Sequence, residues 1–295
     1  MLSDVSQPQR ERLFHIDFRA NFRGQVSRQD LIARFGIREA AATRDLALYR
    51  ALAPGNLEFD GSAKIYRRAE EFTPLFEHDP FRSLVAIAEG LGDAEVGDLS
   101  PHVRTEHPLR LNVPAVEIIA TLTRAIVGGA AVRVVYHSLT SGRTVREIVP
   151  HALVDTAARW HVRAYDRRRL RFSDFVLTRI EDAESVSGAT SPRERREADD
   201  QWMRMVELDL VPHPALARSE PVERDFGMTN GRLHVRLRAA LCGYALVHWS
   251  VDASADHHMD PARHHLWLRN REALYGVENL GIAPGFDPGD ATRSA

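Results

Sequence analysis

Apolar residues just after position 27 recur at helical spacing and predict a short helix. Its inward face is a stripe formed by Leu31, Ile32 and Phe35. Ser27 and Asp30 stand at the spacing of a capping box, in which each side chain bonds the other residue's backbone, so the helix begins just after Ser27. Gly36 follows the stripe and is typical of a helix end, because glycine adopts the left-handed conformation without steric cost.

A second helix is predicted over residues 38–53. One face carries apolar residues at spacings of four, three and four: Ala42, Leu46, Tyr49 and Ala53. The opposite face carries small or polar residues: Ala40, Thr43, Arg44, Ala47 and Arg50. Two helices joined by a tight glycine-containing turn form a helix-turn-helix unit, and small outward side chains let such a helix enter the major groove of DNA. We therefore interpret the second helix as a recognition helix.

A hairpin is predicted next, because LEFDGSAKIYRRA at 57–69 reads as two short strands around Asp60-Gly61. Its basic residues, Arg68 among them, could contact the DNA backbone as a wing. A further helix is predicted over residues 9–22. An alanine-rich structural helix is the alternative, but the order of helix, helix-turn-helix and wing favours DNA binding. The predicted DNA-binding residues are Ser27, Arg28, Arg38, Ala40, Thr43, Arg44, Ala47, Arg50, Lys64 and Arg67.

Residues 131–180 alternate with a period of two, which predicts β-strands. In VRVVYHS neither face is purely apolar, so the alternation leaves open which one meets the core. In RWHVRAYD the predicted core face consists of Trp160, Val162 and Ala164. The other face consists of His161, Arg163 and Tyr165. From spacing alone this polar face is either the wall of an anion-binding pocket or a solvated surface.

Length and charge refine this division. At 295 residues and 33.2 kDa the chain is too long for one small core, so two or three domains are expected. The formal net charge of −2 argues against a uniformly basic nucleic-acid binder. Residues 131–175, however, contain nine arginines but only four acidic residues. Arginine makes forked contacts to phosphate, so this segment could bind an anion. A GC-rich genome is the simpler explanation of the arginine bias.

The sequence also bears on location and cofactors. It has no apolar leader, no stretch approaching the roughly 20 apolar residues of a membrane span, and one cysteine, Cys242, expected to be a small buried helical residue. These features predict a cytoplasmic protein without membrane association. The histidines at 257–258 and 264–265 fit no zinc spacing and predict a surface loop, so neither metal nor cofactor is expected. Because the nucleophile-elbow, Walker and Rossmann motifs are missing, an enzyme is not expected.

The order of these segments resembles the WYL-domain transcriptional regulators, in particular the BrxR/CapW branch that sits beside bacterial anti-phage defence genes. The stretches that carry the resemblance are RFGIREAAATRDLALYRALAPGNLEFD, VVYHSLTSGRTVREIVPHALVD, RWHVRAYD, FSDFVLTRI and WLRNREALYGVENLGIAPG. The resemblance implies an α+β fold in four parts. These are a winged helix-turn-helix domain (1–72), a helical linker (73–113), a WYL domain built as an Sm- or SH3-like small β-barrel (114–200), and an α/β C-terminal WCX dimerisation domain (201–295).

The resemblance further implies a homodimeric repressor of an anti-phage defence operon, bound to an inverted-repeat operator in double-stranded DNA. An anionic ligand, a nucleotide or nucleic-acid fragment, would bind the WYL domain and release the operator. The implied ligand-binding residues are Tyr136, Ser138, His151, His161, Arg163 and Arg171. A ligand-dependent activator and an RNA- or nucleotide-binding module remain as alternatives.

Two positions depart from the family pattern. The naming tripeptide is Trp160-His161-Val162 here, and its histidine could titrate near neutrality. Arg38 stands where a serine-type helix cap is expected, and an arginine cannot accept the backbone N–H bonds of a helix start.

Overall fold

The structure is a computed structural model, and it describes residues 5–88 and 111–287. The chain divides into two compact units, within residues 1–109 and 110–295. Most of the predicted linker, including the stretch at 90–93 with its two glycines, lies outside the described residues.

Within residues 5–88 the first unit has four helices and a small three-stranded sheet. Its elements are α1 (Gln7–Arg23), β1 (Gln25–Val26), α2 (Arg28–Phe35), α3 (Glu39–Leu52), β2 (Leu57–Asp60), β3 (Ile65–Arg68) and α4 (Pro80–Ala88). Strands β2 and β3 form the predicted hairpin, and β1 pairs with β3 as a third strand. Strand β1 was not predicted, because two residues are too few to show an alternating pattern. The core is formed by Leu13, Ile16, Leu31, Leu46 and Tyr49, all fully buried.

The second unit begins with a helix on a five-stranded antiparallel sheet. The elements are α5 (Val116–Gly128), β4 (Ala131–Ser138), β5 (Gly142–Asp155), β6 (Trp160–Asp166), β7 (Arg171–Val176) and β8 (Ile180–Val186). The strand order is β7-β6-β5-β4-β8, and a three-residue 3₁₀ turn, Leu177–Arg179, joins the two edge strands. Because so short a turn connects opposite edges, the sheet must curl as in a small barrel, although the described strands include no β7–β8 ladder.

Both faces of β6 are buried beyond its first residue, which differs from one of the two sequence-based alternatives. Val162 and Ala164 lie in the core beneath α5, as predicted, but Trp160 is 36% exposed. Trp160 is the first residue of β6 and pairs with Asp155 next to the hairpin turn, beyond the buried part of the strand. The opposite face is not solvated, because His161 and Arg163 are only 6% and 5% exposed.

The charged composition of residues 191–201 predicts a helix, but the structure has no continuous helix there. The segment forms two 3₁₀ turns, Pro192–Glu194 and Arg196–Ala198, followed by the short helix α6 (Asp200–Met203). Glu194 bonds Arg167, and Asp199 bonds Arg163, both on or next to the five-stranded sheet. Because these two acids form ion pairs with residues distant in sequence, they are not available for the ion pairs between successive turns that stabilise a regular helix.

A four-stranded sheet completes the second unit. Its elements are β9 (Met205–Pro212), α7 (Glu220–Asp225), β10 (Leu233–Arg238), α8 (Cys242–His248), β11 (Val251–Asp252) and β12 (Leu266–Leu268). The strand order is β10-β9-β12-β11, with β11 and β12 parallel. Cys242 is fully buried at the start of α8, as predicted. Within residues 5–88 and 111–287, no helix is long and apolar enough to cross a membrane.

Candidate nucleic-acid interface and ligand cavity

The rotation of α3 is fixed by its buried side chains. Ala42, Leu46 and Tyr49 are fully buried. The Tyr49 hydroxyl donates a hydrogen bond to the buried Asp17 carboxylate, and Asn56 Nδ2 donates to the Tyr49 oxygen at 3.1 Å. Because these contacts hold one face inward, the opposite face is turned to solvent. The exposed residues of that face are Ala40, Thr43, Arg44, Ala47 and Arg50.

The cations near this face differ in how they are held. Arg28 Nη1 lies 2.8 Å from Glu39 Oε1, and Arg67 Nε donates to Asp60 Oδ2 at 3.1 Å. In contrast, Arg44 forms no hydrogen bond or ion pair with any part of residues 5–88. Its guanidinium therefore keeps all its donors for an external partner.

Three further residues of the predicted interface lie at element ends. Ser27 Oγ donates to Asp30 Oδ2 at 2.8 Å and accepts from Asp30 N at 3.2 Å, so its hydroxyl is used in the predicted capping box. Arg38 precedes α3 and makes no side-chain capping bond. Lys64 is exposed in the hairpin turn with a φ of 56°.

In the second unit, two cavities lie along β7. The larger, about 280 Å³, is lined on the sheet side by three arginines, Arg163, Arg169 and Arg171. Its other wall comes from α8 and the segment after β12 and includes Tyr244 and Asn279. The smaller, about 200 Å³, is lined by Tyr136, Ser138, Thr140, Arg146 and Arg179, among others. The residues shared by both cavities are Arg169, Ser173 and Asp174.

Arg163 is neutralised from two sides. Its Nε and Nη2 donate to the two oxygens of Asp199 at 2.8 and 2.9 Å, and its Nη1 donates to Asp174 Oδ1 at 3.3 Å. Burial lowers the pKa of the guanidinium, but the hydrogen bond to Asp199 and the charge of Asp174 outweigh burial and raise it. Burial also raises the pKa of Asp199, yet hydrogen bonds from His151 and Arg163 lower it to about 2. The pair therefore stays charged at neutral pH.

The two histidines of the predicted ligand set line neither cavity. His151 lies at a β-bulge of β5, where Nε2 is 3.0 Å from Asp199 Oδ2, and its ring packs on Trp202. His161 packs on the Tyr244 ring with centroids 5.1 Å apart. Burial lowers the pKa of His161 below the ordinary value of a histidine, which moves its titration away from neutrality.

Family models match all three parts of the chain. The BrxR transcriptional regulator winged helix-turn-helix domain matches residues 8–87, the WYL domain matches residues 117–185, and the BrxR C-terminal dimerization domain matches residues 205–274. The DNA-binding transcriptional repressor CapW of Escherichia coli (strain KTE188) is 32% identical over 279 residues, which cover 91% of each chain. The chain belongs to the CapW family of transcriptional repressors.

Relatives in other genera agree. The CapW repressor of Pseudomonas aeruginosa is 35% identical over 281 residues, covering 90% of each chain, and that of Stenotrophomonas maltophilia is 34% identical over 282 residues. Among solved structures, the proteasome accessory factor B/C of Arthrobacter aurescens aligns with 92% of this chain at 18% identity. This chain spans 47% of that protein, and a TM-score of 0.25 gives the alignment no weight. The predicted BrxR/CapW resemblance and α+β fold are confirmed.

The structure thus divides the predicted ligand residues of this CapW-family chain into three groups. Tyr136 and Ser138 line the smaller cavity, and Arg163 and Arg171 line the larger one. The two histidines line neither: His161 packs on Tyr244, and His151 contacts Asp199. Tyr136 is also a core residue, since it is 7% exposed and its hydroxyl accepts from Val176 N at 3.3 Å.

Several residues at or beside the cavities of the CapW-family chain were not predicted from the sequence. Asp174, Tyr244 and Asn279 line the larger cavity, and Asp199 neutralises Arg163. Asp174 has a signal in the sequence, because it is an acid that follows closely on the arginine-rich run 167–171. The other three come from segments whose contacts the sequence pattern does not show.

The histidine-rich loop of the CapW-family chain is a surface loop, as predicted. His258 Nδ1 lies 2.6 Å from Asp256 Oδ1, and both side chains are more than half exposed. Within the described ranges, 5–88 and 111–287, no group of three or more His, Cys, Asp or Glu could hold a metal ion.

Proposed function

We propose that the chain is a homodimeric, DNA-binding transcriptional repressor of an anti-phage defence operon. It binds an inverted-repeat operator and releases it when the WYL domain binds an anionic ligand, a nucleotide or nucleic-acid fragment. The observation that carries the proposal is the outer face of α3, which is exposed, sparsely decorated and centred on the unpaired Arg44. The relatives named as DNA-binding repressors support it over 90–92% of the chain.

The geometry of α3 supports entry into a major groove. Ala40 and Ala47 bring the helix backbone close to bases, while Thr43 and Arg44 supply the polar contacts. The Thr43 hydroxyl donates to Glu39 O at 2.9 Å, which leaves its oxygen as an acceptor and its methyl group for apolar contact. Arg44 is the residue best placed to contact a guanine or a phosphate.

The dimer follows from the match to a C-terminal dimerization domain over residues 205–274. Two recognition helices related by a two-fold axis read the two halves of an inverted repeat, with half-site centres about 10 bp or a multiple of it apart.

Release by an anion is supported by the cavities along β7. Arg169 and Arg171 are exposed cations on the cavity wall, and neither forms an ion pair through its side chain within the described part of the chain. An anion releases the operator only if it binds the DNA-incompetent arrangement more tightly, because equal affinity for both arrangements shifts nothing.

Arg44→Ala tests the recognition helix. In a gel-shift titration with the upstream region we expect operator affinity to fall by about 10- to 100-fold, with the dimer intact in sedimentation. The slope of log affinity against log salt is expected to become shallower by about 1 if Arg44 contacts a phosphate and to stay unchanged if it contacts a base.

Arg263→Ala is the matched control, because it removes the same charge from a side chain that is 83% exposed in the C-terminal domain. Its operator affinity should equal that of the parent chain. An Arg44→Ala chain that binds like the Arg263→Ala chain would rule out α3 as the recognition helix.

A further inference from the structure

Tyr244 connects the dimerisation domain to the wall of the larger cavity. It lies on α8, lines this cavity, and its hydroxyl donates to Asp174 Oδ2 at 3.0 Å. Asp174 belongs to β7 of the WYL sheet. A side-chain hydrogen bond at the cavity surface therefore joins the two domains.

Asp174 sits between two donors. Its Oδ2 accepts from Tyr244, while its Oδ1 accepts from Arg163 Nη1 at 3.3 Å. The remaining edge of the Arg163 guanidinium is bound to Asp199 at 2.8 and 2.9 Å. The hydrogen bonds from Arg163 to Asp199 are thus shorter than its hydrogen bond to Asp174, which is the weaker of the two contacts.

An anion that enters this cavity meets Arg169 and Arg171 as attractive charges and two carboxylates, Asp174 and the exposed Glu278, as repulsive ones. Only Asp174 holds Arg163 and Tyr244. The repulsion favours rotation of Asp174 away from the anion, which leaves Arg163 Nη1 and the Tyr244 hydroxyl without their acceptor. Both donors can then be satisfied by oxygens of the anion. Burial and the neighbouring Asp174 raise the pKa of Tyr244, so its hydroxyl keeps its proton and remains a donor.

A movement of Tyr244 cannot remain local, because its neighbour Gly243 packs closely against Asn279. Gly243 N donates to Asn279 Oδ1 at 3.0 Å, and a Cβ at Gly243 would lie 2.1 Å from the Asn279 carbonyl oxygen. Asn279 lines the same cavity and also donates to Ala240 O at 2.7 Å. Movement of Tyr244 therefore shifts α8 and the Asn279 segment together.

We infer that Tyr244 is a ligand-site residue supplied by the dimerisation domain. When an anion binds, the Tyr244 hydroxyl stops donating to Asp174 and donates to the anion, and this change of partner transmits the occupancy of the cavity to α8. This inference rests on the anion-responsive WYL domain of the proposed function and names the residue through which that response leaves the WYL domain.

The test uses the full chain, inorganic pyrophosphate as the probe, and Tyr244→Phe, which keeps the ring packed on His161 and removes the hydroxyl. Calorimetry gives pyrophosphate affinity, and fluorescence anisotropy gives operator affinity with and without saturating pyrophosphate. We expect pyrophosphate to weaken operator binding by at least about fivefold in the parent. In Tyr244→Phe, pyrophosphate affinity should fall about tenfold. At saturation its operator binding should weaken by less than about twofold.

Tyr275→Phe is the matched control, since Tyr275 lies in the same domain and is 80% exposed; it should match the parent in both assays. A purely packing role of Tyr244 would not change the ratio of operator affinities at saturation. The same ratio in Tyr244→Phe as in the parent overturns the inference and leaves the anion site standing. Failure of pyrophosphate to bind the parent overturns both, while operator binding is judged separately by Arg44→Ala.

Asp174→Asn keeps the inference testable if the tyrosine variant does not fold. Removing the like charge from the cavity wall should raise pyrophosphate affinity by at least about fivefold. An unchanged or lower pyrophosphate affinity would show that the anion does not displace Asp174, and the proposed change of hydrogen-bond partner at Tyr244 would be wrong.

Discussion

Asp199→Asn should destabilise the second unit strongly, because it removes a buried charge that holds a buried arginine. The Asp199 side chain is 1% exposed and accepts from Arg163 Nε and Nη2 at 2.8 and 2.9 Å. It also lies 3.0 Å from His151 Nε2 and accepts from Trp202 N at 3.2 Å. Asparagine has nearly the same shape, so the substitution tests the charge rather than the volume.

Two independent estimates give the size of the effect. The pKa of Asp199 is lowered from 3.8 to about 2, which corresponds to ~2.4 kcal/mol of folding free energy at ~1.36 kcal/mol per pH unit. Removing one partner of a buried ion pair typically costs ~3–5 kcal/mol of folding free energy. Because asparagine retains one acceptor oxygen, the cost of Asp199→Asn is expected at or below the lower end of that range. A loss of ~2–3 kcal/mol lowers the melting temperature of a unit of this size by roughly 5–10 °C.

The pH dependence separates this explanation from a packing defect. Because the folded-state pKa is depressed, the stabilisation is fully present above pH ~4 and is lost as the pH falls from about 4 to about 2. Thermal unfolding at several pH values should therefore show a constant gap between parent and Asp199→Asn from pH ~7 to ~5, narrowing below pH ~4.

Asp256→Asn serves as the control, because its pair with His258 is exposed, and its melting temperature should stay within about 1 °C of the parent. An Asp199→Asn chain that melts like this control at neutral pH would refute the reasoning. So would a gap that persists unchanged into acid.

Two other substitutions have directions fixed by the structure. Gly243→Ala should destabilise the C-terminal domain by about 1–3 kcal/mol in urea unfolding, because its Cβ would lie 2.1 Å from the Asn279 backbone oxygen. Gly281→Ala, whose Cβ would meet nothing within 4 Å, is the control, and equal midpoints would contradict the clash. Tyr49→Phe should lower the stability of the first unit by about 1–3 kcal/mol in thermal unfolding, because the fully buried Asp17 loses a donor. An unchanged melt would mean that another donor satisfies Asp17.

Local sequence signals were sufficient for the helix-turn-helix. The Ser27–Asp30 spacing and Gly36 predicted the bounds of α2, because capping and left-handed glycine depend on neighbours within a few residues. The apolar spacing of α3 predicted which face is buried for the same reason. Arg38 was correctly expected to lack a capping bond, since its side chain has no acceptor.

The ligand cavity depends on partners that are distant in sequence, and so it could be predicted only in part. Asp199 lies 36 residues from Arg163, and Tyr244 lies 70 residues from Asp174. Periodicity states which residues share a face of a strand, but it does not state what covers that face. The charged composition of the segment after β8 does not show that its Asp199 accepts from Arg163 of β6.

The polar face of β6 shows why the two sequence-based alternatives were both incomplete. A row containing His161 and Arg163 suggested either a solvated surface or the wall of an anion-binding pocket, yet both residues are at least 94% buried, and of the two only Arg163 lines a cavity. A buried guanidinium persists only when carboxylates neutralise it, so its burial requires acids from elsewhere in the chain. Asp199 and Asp174 meet this requirement, but only Asp174 also lies on the cavity surface. The proposed response to an anion is therefore expected at Asp174, where a carboxylate can be exchanged, and not at Asp199, whose charge holds the buried Arg163 in place.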